Sequence, residues 1–254
     1  MKKEKVLLAF SGGLDTSFCA MYLAKDKGYE VHTAIANTGG FSPEELKRIE
    51  ERAYRLGAKT HATLDVTQEY YDKSIKYMVF GNVLRNGTYP ISVSSERIFQ
   101  AIATIEYAKK IEADYIAHGS TGAGNDQVRF DLTFDVLAGH IKVLTPTRDM
   151  VLTREYEINY LKEHGYEADF TKMEYSINAG LWGTSIGGKE TLKSEQTLPE
   201  SAYTKQVVKK EEETITIDFE KGEIVGVNNV HYTDKIAAIN KVEEVGSAFG
   251  IGRD

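Results

Sequence analysis

A chain of 254 residues with 41% hydrophobic side chains is long enough to bury at least one full core, and its length suggests one or two domains. Its 31 basic and 38 acidic residues leave a formal charge of -7, which offers no general electrostatic footprint for RNA or DNA, so nucleic acid is not expected as a partner. The single cysteine, Cys19, excludes an intramolecular disulfide and a multi-cysteine metal site and fits a reducing, cytoplasmic setting; no stretch approaches the roughly 18 apolar residues that a membrane span needs, and the apolar run near the N-terminus is too short for a signal peptide.

Val6 to Phe10 reads as a buried strand and Thr16 to Lys25 as a helix with Phe18, Met21 and Tyr22 on one side. Tyr29 to Ile35 alternates through Val31, Thr33 and Ile35 as a second strand. Ser42-Pro43-Glu44-Glu45 then caps a helix carrying Leu46, Ile49, Ala53 and Leu56, which Gly57 stops. A third strand is expected over Thr60 to Asp65, a helix over Gln68 to Val83, and a second helix over Ser95 to Ile111 through Ile98, Ile102 and Ile105. Tyr115 to His118 is a fourth strand and Lys142 to Thr145 a fifth, followed by Pro146 and a helix over Arg154 to His164. Beyond Asp169 come a glycine-punctuated loop region, "YSINAGLWGTSIGGKETL", a charged spacer, "KKEEET", and a hairpin turning at Glu220 to Gly222. An amphipathic helix over Thr233 to Phe249 follows, through Ile236, Ile239, Val242 and Val245.

Strands alternating with helices predict an α/β fold with a doubly wound, mostly parallel sheet over about residues 1–165. The domains divide as a first, doubly wound α/β domain over 1–168 and a second, α+β domain over 169–254. One hairpin and one helix cannot bury their apolar faces, so the second domain is expected to be incomplete, cut from a longer protein or completed by another chain. Ligands in such sheets bind beyond the carboxyl ends of the strands. Two Gly-rich segments, Ser11 to Ser17 and Gly119 to Asn125, follow predicted strands directly and would open onto that one edge.

In Ser11-Gly12-Gly13-Leu14-Asp15-Thr16-Ser17 the glycines permit close backbone approach, the helix N-terminus points amide groups at an anion, and three hydroxyls add donors. This suits phosphate or pyrophosphate. A Walker motif and a Gly-x-Ser-x-Gly nucleophile elbow are both absent, and an ordinary strand-to-helix connection stays open as the bland alternative. Turn chemistry alone would explain Asn125-Asp126 in a Gly-rich loop. The six histidines show no metal spacing; His118 reads as structural, Cys19 as buried and Trp182 as packing.

The first motif resembles the PP-loop of the N-type ATP pyrophosphatases. In order, "AFSGGLDTS", "AIANTGG", "AHGSTGAGNDQVRFD" and "YSINAGLWGTSI" resemble the argininosuccinate synthase family over essentially the whole chain. That resemblance implies an adenine nucleotide alpha hydrolase-like fold, with 1–168 as a nucleotide-binding PP-loop domain and 169–254 as the N-terminal part of a citrulline/aspartate synthetase domain, and a two-step ligation using ATP with Mg2+. The L-citrulline ureido oxygen attacks the α-phosphorus to give citrullyl-AMP and pyrophosphate, and the L-aspartate amine then displaces AMP. It also implies a homotetramer for the full-length protein.

Carried over by position, Ala9, Phe10, Ser11, Gly12, Gly13, Leu14, Asp15, Thr16 and Ser17 would hold the ATP phosphates, and Ala36 and Gly119 would line the nucleoside. Thr121, Asn125 and Asp126 match aspartate-binding positions, with Asn125 also reaching citrulline. Arg129, Tyr89, Ser94, Arg97, Ser176 and Ser185 match citrulline positions. Asp126, Arg129 and Asp15 stand as the catalytic candidates, Asp15 as a helix-start or Mg-linked carboxylate, and no metal site built from protein groups alone is expected. The segment "YPISVSSER" departs from the family pattern Leu-Gly-Thr-Ser-x-Ala-Arg-Pro: Val93 replaces threonine and no proline follows Arg97, so Ser95 as a helix cap competes there. Asn178 replaces a customary aspartate. The family's later citrulline ligands and C-terminal tail are not in these residues, so this chain alone is expected to bind ATP, to bind citrulline weakly and to turn over little. A different adenylating enzyme of the superfamily and a nucleotide-binding module without turnover are the competing readings.

Overall fold

The computed structural model describes residues 3–122, 124–170, 175–193 and 195–253. The chain forms two compact units, one of Met1–Val66 with Ser94–Glu174 and one of Thr67–Val93 with Tyr175–Asp254. An excursion from the middle of the chain thus groups with the C-terminal part, which a single sequence boundary does not describe.

The first unit is built on five strands, β1 (Lys5–Ala9), β2 (Glu30–Asn37), β3 (Thr60–Asp65), β4 (Tyr115–His118) and β5 (Lys142–Leu144). They lie in the order β3-β2-β1-β4-β5 with every neighbouring pair parallel. Side chains alternate across a strand, so β1 divides its apolar run between two cores. Val6 and Leu8 face a core with Phe18, Met21, Leu23, Ala53, Leu56 and Leu161. Leu7 faces the opposite core with Ala101, Ile105, Ile116, Phe130 and Phe134. The first core is supplied by α1 (Leu14–Lys25), α2 (Pro43–Arg55) and α8 (Arg154–Glu163), the second by α5 (Ser92–Lys110) and α6 (Asp126–Ala138). Helices on both faces of a parallel sheet make this the doubly wound α/β arrangement expected.

Local signals account for the helix ends. Ser42 and Glu45 form a reciprocal capping box at the start of α2, with Pro43 in its first turn. Gly57, at φ +99°, ends it in the left-handed region that glycine enters without strain. The helix expected over 68–83 is α3 (Thr67–Tyr70), a π-helical turn over Tyr71–Ile75 and α4 (Lys76–Gly81). Ser95 is not a cap, because α5 begins at Ser92. A short α7 (Pro146–Asp149) precedes α8.

In the second unit, the segment read as a glycine-punctuated loop is an antiparallel hairpin, β6 (Ser176–Gly180) with β7 (Gly183–Gly187). Glycine at both ends of that turn and few large side chains hid its strands. The predicted later hairpin is present as β8 (Ile217–Glu220) and β9 (Glu223–Val227). Lys221 and Gly222 both take positive φ in its two-residue turn, the form that matches strand twist. β10 (Val230–His231) extends this sheet, and α9 (Lys235–Ala248) packs Ala238, Ile239 and Val242 against Ile224 and Val227. Among the described residues no helix is long and apolar enough to cross a membrane.

Candidate functional site

The strand order reverses between β1 and β4: the chain winds outward through β2 and β3, then returns to the other side of β1. Crossovers leave that point in opposite directions and open a crevice at the carboxyl ends of the strands. The loops that follow β1 and β4 are the two Gly-rich segments singled out in the sequence.

After β1, the Phe10 N–H donates to the Ala34 carbonyl at 2.8 Å, which keeps the chain in the sheet until the turn. Gly12 takes φ +74°, and a Cβ there would also stand 3.2 Å from Ile49 Cγ1. Arg52 of α2 donates to the Gly12 carbonyl. Gly13 is the N-cap of α1 and supplies no side-chain cap, so the N–H groups of the first turn have no intrahelical partner. Around this N-terminus, Ser11 Oγ and Thr16 Oγ1 lie 3.3 Å apart, and the Gly13 N–H approaches Ser11 Oγ at 3.3 Å. Ser17 is fully buried and its hydroxyl has no hydrogen-bond partner. Thr16 Oγ1 donates to the Gly13 carbonyl at 3.3 Å, so of the three hydroxyls beside this uncapped helix start the Ser17 hydroxyl is the one without a partner.

The β4 loop closes directly on this turn. A Cβ on Gly119 would stand 3.0 Å from the Thr16 backbone nitrogen and 3.1 Å from the Asp15 carbonyl carbon. Only glycine allows so close an approach. Behind the turn, Glu157 of α8 is 1% exposed; it accepts from Thr147 Oγ1 at 3.1 Å and is hydrogen-bonded to Asp15. Burial, reinforced by the Asp15 carboxylate, pushes the Glu157 carboxyl up to about 8. Burial likewise pushes the Cys19 thiol up to about 12.

The loop beyond Gly119 is propped from the side. The Ser120 N–H donates to His118 Nδ1 at 3.2 Å, so the ring carries its proton on Nε2 and donates to Asp131 Oδ1 at 2.9 Å. Burial pushes the His118 pKa down. Arg148 donates to Asp131 and, at 3.1 Å, to Gln127 Oε1; Gln127 Nε2 in turn holds the Gly122 carbonyl at 2.7 Å. Burial opposes the Asp131 charge, but the hydrogen bonds from Arg148 and His118 outweigh it and keep that carboxyl below its usual range. His118 therefore serves as a structural prop, as its place in the sequence suggested.

A second polar cluster joins the first turns of α5 and α6. Asp126 Oδ2 accepts from Arg97 Nε at 3.1 Å and Oδ1 from Arg129 Nη1 at 2.7 Å; Arg129 Nη2 also donates to Ser94 Oγ at 3.0 Å. Four sequence candidates, Ser94, Arg97, Asp126 and Arg129, are thus one hydrogen-bonded group. Sequence reasoning passed over Glu96, which stands where the family segment has alanine. Glu96 is 1% exposed and its Oε1 accepts from Thr38 Oγ1 at 2.9 Å and from Gln100 Nε2 at 2.7 Å, while Arg97 Nη1 donates to Gln100 Oε1 at 2.6 Å. Burial pushes the Glu96 carboxyl up against the opposing pull of Arg97. Sequence reasoning also passed over α6 itself. Phe130, Thr133, Phe134 and Ala138 have helical spacing, but exposed Val128, Leu132, Val136 and Leu137 on the other side blur the contrast.

The remaining candidates are more dispersed. Ala36 is buried near the end of β2, while Thr121 and Asn125 are exposed on the β4 loop. Asn125 is the N-cap of α6 and makes no side-chain cap hydrogen bond. Tyr89, Ser176 and Ser185 belong to the second unit. There Arg85 donates its N–H to the Tyr89 carbonyl at 2.8 Å, and Ser185 pairs with Asn178, which puts Ser176, Asn178 and Ser185 on one face of the hairpin. Trp182 donates to the Pro90 carbonyl at 3.2 Å, a packing role. Among the described residues, no group of three or more His, Cys, Asp or Glu side chains could hold a metal ion.

Comparison with known proteins agrees with this geometry. The Arginosuccinate synthase N-terminal HUP domain family matches residues 5–167, the span that carries both Gly-rich loops and the arginine cluster. An argininosuccinate synthase from Methanocaldococcus jannaschii is 38% identical over 250 residues, 97% of this chain and 62% of that protein. Those from Sulfurisphaera tokodaii and Aquifex aeolicus are 38% and 37% identical, with 98% and 100% of this chain aligned to 63% and 64% of theirs. The chain therefore spans a little under two thirds of the length of these relatives. With a five-stranded parallel sheet, two glycine loops at its switch point and a family match across more than half its length, the chain belongs to the argininosuccinate synthase family.

Proposed function

We propose that this chain carries the nucleotide-binding and part of the citrulline-binding machinery of an ATP-dependent argininosuccinate-forming ligase. The supporting observation is the uncapped N-terminus of α1, ringed by Ser11, Thr16 and the orphaned Ser17 hydroxyl, with Gly119 pressed against it. ATP is the substrate this donor set fits: its phosphates need many hydrogen-bond donors and little general base. The first-turn amides and the hydroxyls of Ser11, Thr16 and Ser17 hold the phosphates, and Ala36 and Gly119 flank the nucleoside. Asp15 is the carboxylate of the loop that would engage Mg2+, which would neutralise charge on the phosphates.

In the first step the citrulline ureido oxygen forms a bond to the α-phosphorus as the bond to the bridging oxygen breaks, and pyrophosphate leaves with that electron pair. The Ser11–Ser17 turn stabilises the charge that develops on the leaving group. Arg129 and Arg97 offer guanidinium groups to a substrate carboxylate. In the second step the aspartate amine bonds to the activated carbon, loses a proton, and AMP departs. Asp126, Thr121 and Asn125 hold the amine and carboxylate of aspartate. The chemistry is positioning and charge stabilisation, with no protein nucleophile.

Pyrophosphate release measured with each of ATP, citrulline and aspartate omitted in turn tests this reading. Release that needs ATP and citrulline supports it. ATP binding with no citrulline-dependent release supports a nucleotide-binding module instead. Arginine biosynthesis in the cytoplasm, within a homotetramer of the full-length protein, is the setting we propose.

A further inference from the structure

We infer that Glu96 is a positioning residue that ties the loop after β2 to the arginine cluster, so that filling one side of the site alters the other. The inference rests on the reading above, in which Ala36 flanks the nucleoside and Arg97 and Arg129 hold a substrate carboxylate.

Its warrant is a continuous chain of polar contacts. Thr38 is fully buried, two residues beyond Ala36 on the β2 loop, and donates to Glu96 Oε1 at 2.9 Å. The same oxygen takes the Gln100 amide at 2.7 Å, Gln100 takes Arg97 at 2.6 Å, and Arg97 Nη1 itself stands 3.7 Å from Glu96. Arg97 then reaches Asp126, and Asp126 reaches Arg129. This chain of contacts from Thr38 to the arginines runs through the Glu96 carboxyl group.

Glu96 is also an uneconomical way to stabilise a helix. Its Oε2 is buried with no partner, and a buried carboxyl that satisfies one oxygen is less favourable than an apolar side chain of similar volume. The orphaned oxygen leaves the cluster short of a donor. A ligand carboxylate that draws Arg97 or Arg129 toward itself must redistribute the donors around Glu96, and Thr38 is one of them. The loop after β2 thereby senses the occupancy of the arginines, a coupling carried by packed, hydrogen-bonded groups.

The experiment uses the 254-residue chain and its Thr38→Val, Glu96→Gln and Glu96→Ala variants. Calorimetry gives the affinity for α,β-methylene-ATP with and without saturating L-citrulline. In the parent, citrulline should change the analogue's Kd by about fivefold or more. Thr38→Val and Glu96→Ala should bind each ligand alone within about twofold of the parent yet lose that factor, and Glu96→Gln, which keeps the Oε1 acceptor, should retain it. A parent that binds the analogue with no citrulline effect overturns the inference, and so does a Thr38→Val variant that keeps the full factor. Thr38→Val buries no new polar group and carries the test if Glu96→Ala does not fold. A parent that binds no analogue would defeat the nucleotide reading instead. The inference is then judged by ligand-free amide hydrogen exchange of Thr38→Val: faster exchange across 94–100 and 126–129 as well as 37–40 supports it, and loosening confined to 37–40 overturns it.

Discussion

Asp126 shares one carboxylate between two guanidinium groups, and Asp126→Asn is the smallest change that separates its charge from its shape. Each oxygen serves one arginine, Oδ2 at 3.1 Å from Arg97 and Oδ1 at 2.7 Å from Arg129. An amide keeps the volume but sets an NH2 donor against a cationic donor on one side. Removing one partner of a fully buried ion pair costs about 3–5 kcal/mol. Here the side chains of Asp126 and Arg129 are 32% and 24% exposed, so water screens part of the loss, and Arg97 keeps Gln100 and the nearby Glu96. The expected destabilisation is therefore about 1–2 kcal/mol, a fall in Tm of about 2–8 °C for a chain of this size. Thermal unfolding followed by circular dichroism measures it, and the double variant with Arg129→Met should fall short of the summed single losses by about 1 kcal/mol. An Asp126→Asn protein that melts with the parent, or single losses that simply add, would refute the pairing.

Other outcomes follow from the same geometry. Glu157 has a carboxyl raised to about 8 when folded, above the ordinary 4.5 expected unfolded. The unfolded chain therefore loses this proton first, and the associated stability is complete below about pH 4.5 and lost as pH rises through about 8. Glu157→Gln should flatten the fall in Tm between pH 5 and 8.5, and a variant whose profile parallels the parent's counts against the Asp15–Glu157 contact. Gly119→Ala should weaken nucleotide binding with little loss elsewhere, because the new methyl group meets backbone at 3.0 Å on Thr16; Gly124→Ala, with nothing within 4 Å, is the matched control in calorimetry. Fully buried Cys19, its thiol raised to about 12, should resist Ellman's reagent in the folded protein and react at once in guanidinium chloride.

The sheet was legible because its strands are short and alternate with helical segments: the third and fourth strands fall where the pattern puts them. The Ser42 capping box and the Glu220–Gly222 turn are purely local and were equally readable. Features set by tertiary contact were not. The β6–β7 hairpin has glycines where strand formers are expected, and α6 carries apolar residues on both faces, so neither shows the amphipathic contrast that sequence reading relies on. Within the candidate site, residue types revealed the loops, but the partners were hidden. That Arg97 and Arg129 converge on Asp126 depends on α5 and α6 starting side by side, and that Glu96 faces Thr38 depends on the position of β2 in the sheet. A buried glutamate next to an arginine reads, in sequence, as a solvated helix pair.

The turn from Ser11 to Ser17 grips the phosphates of ATP in this reading, and calorimetry with α,β-methylene-ATP and AMP on the parent and on the Ser11→Ala, Ser17→Ala double variant measures that grip. The parent should prefer the triphosphate by about tenfold or more, and the double variant should lose this margin while keeping its affinity for AMP. A double variant that binds the triphosphate as tightly as the parent would contradict it.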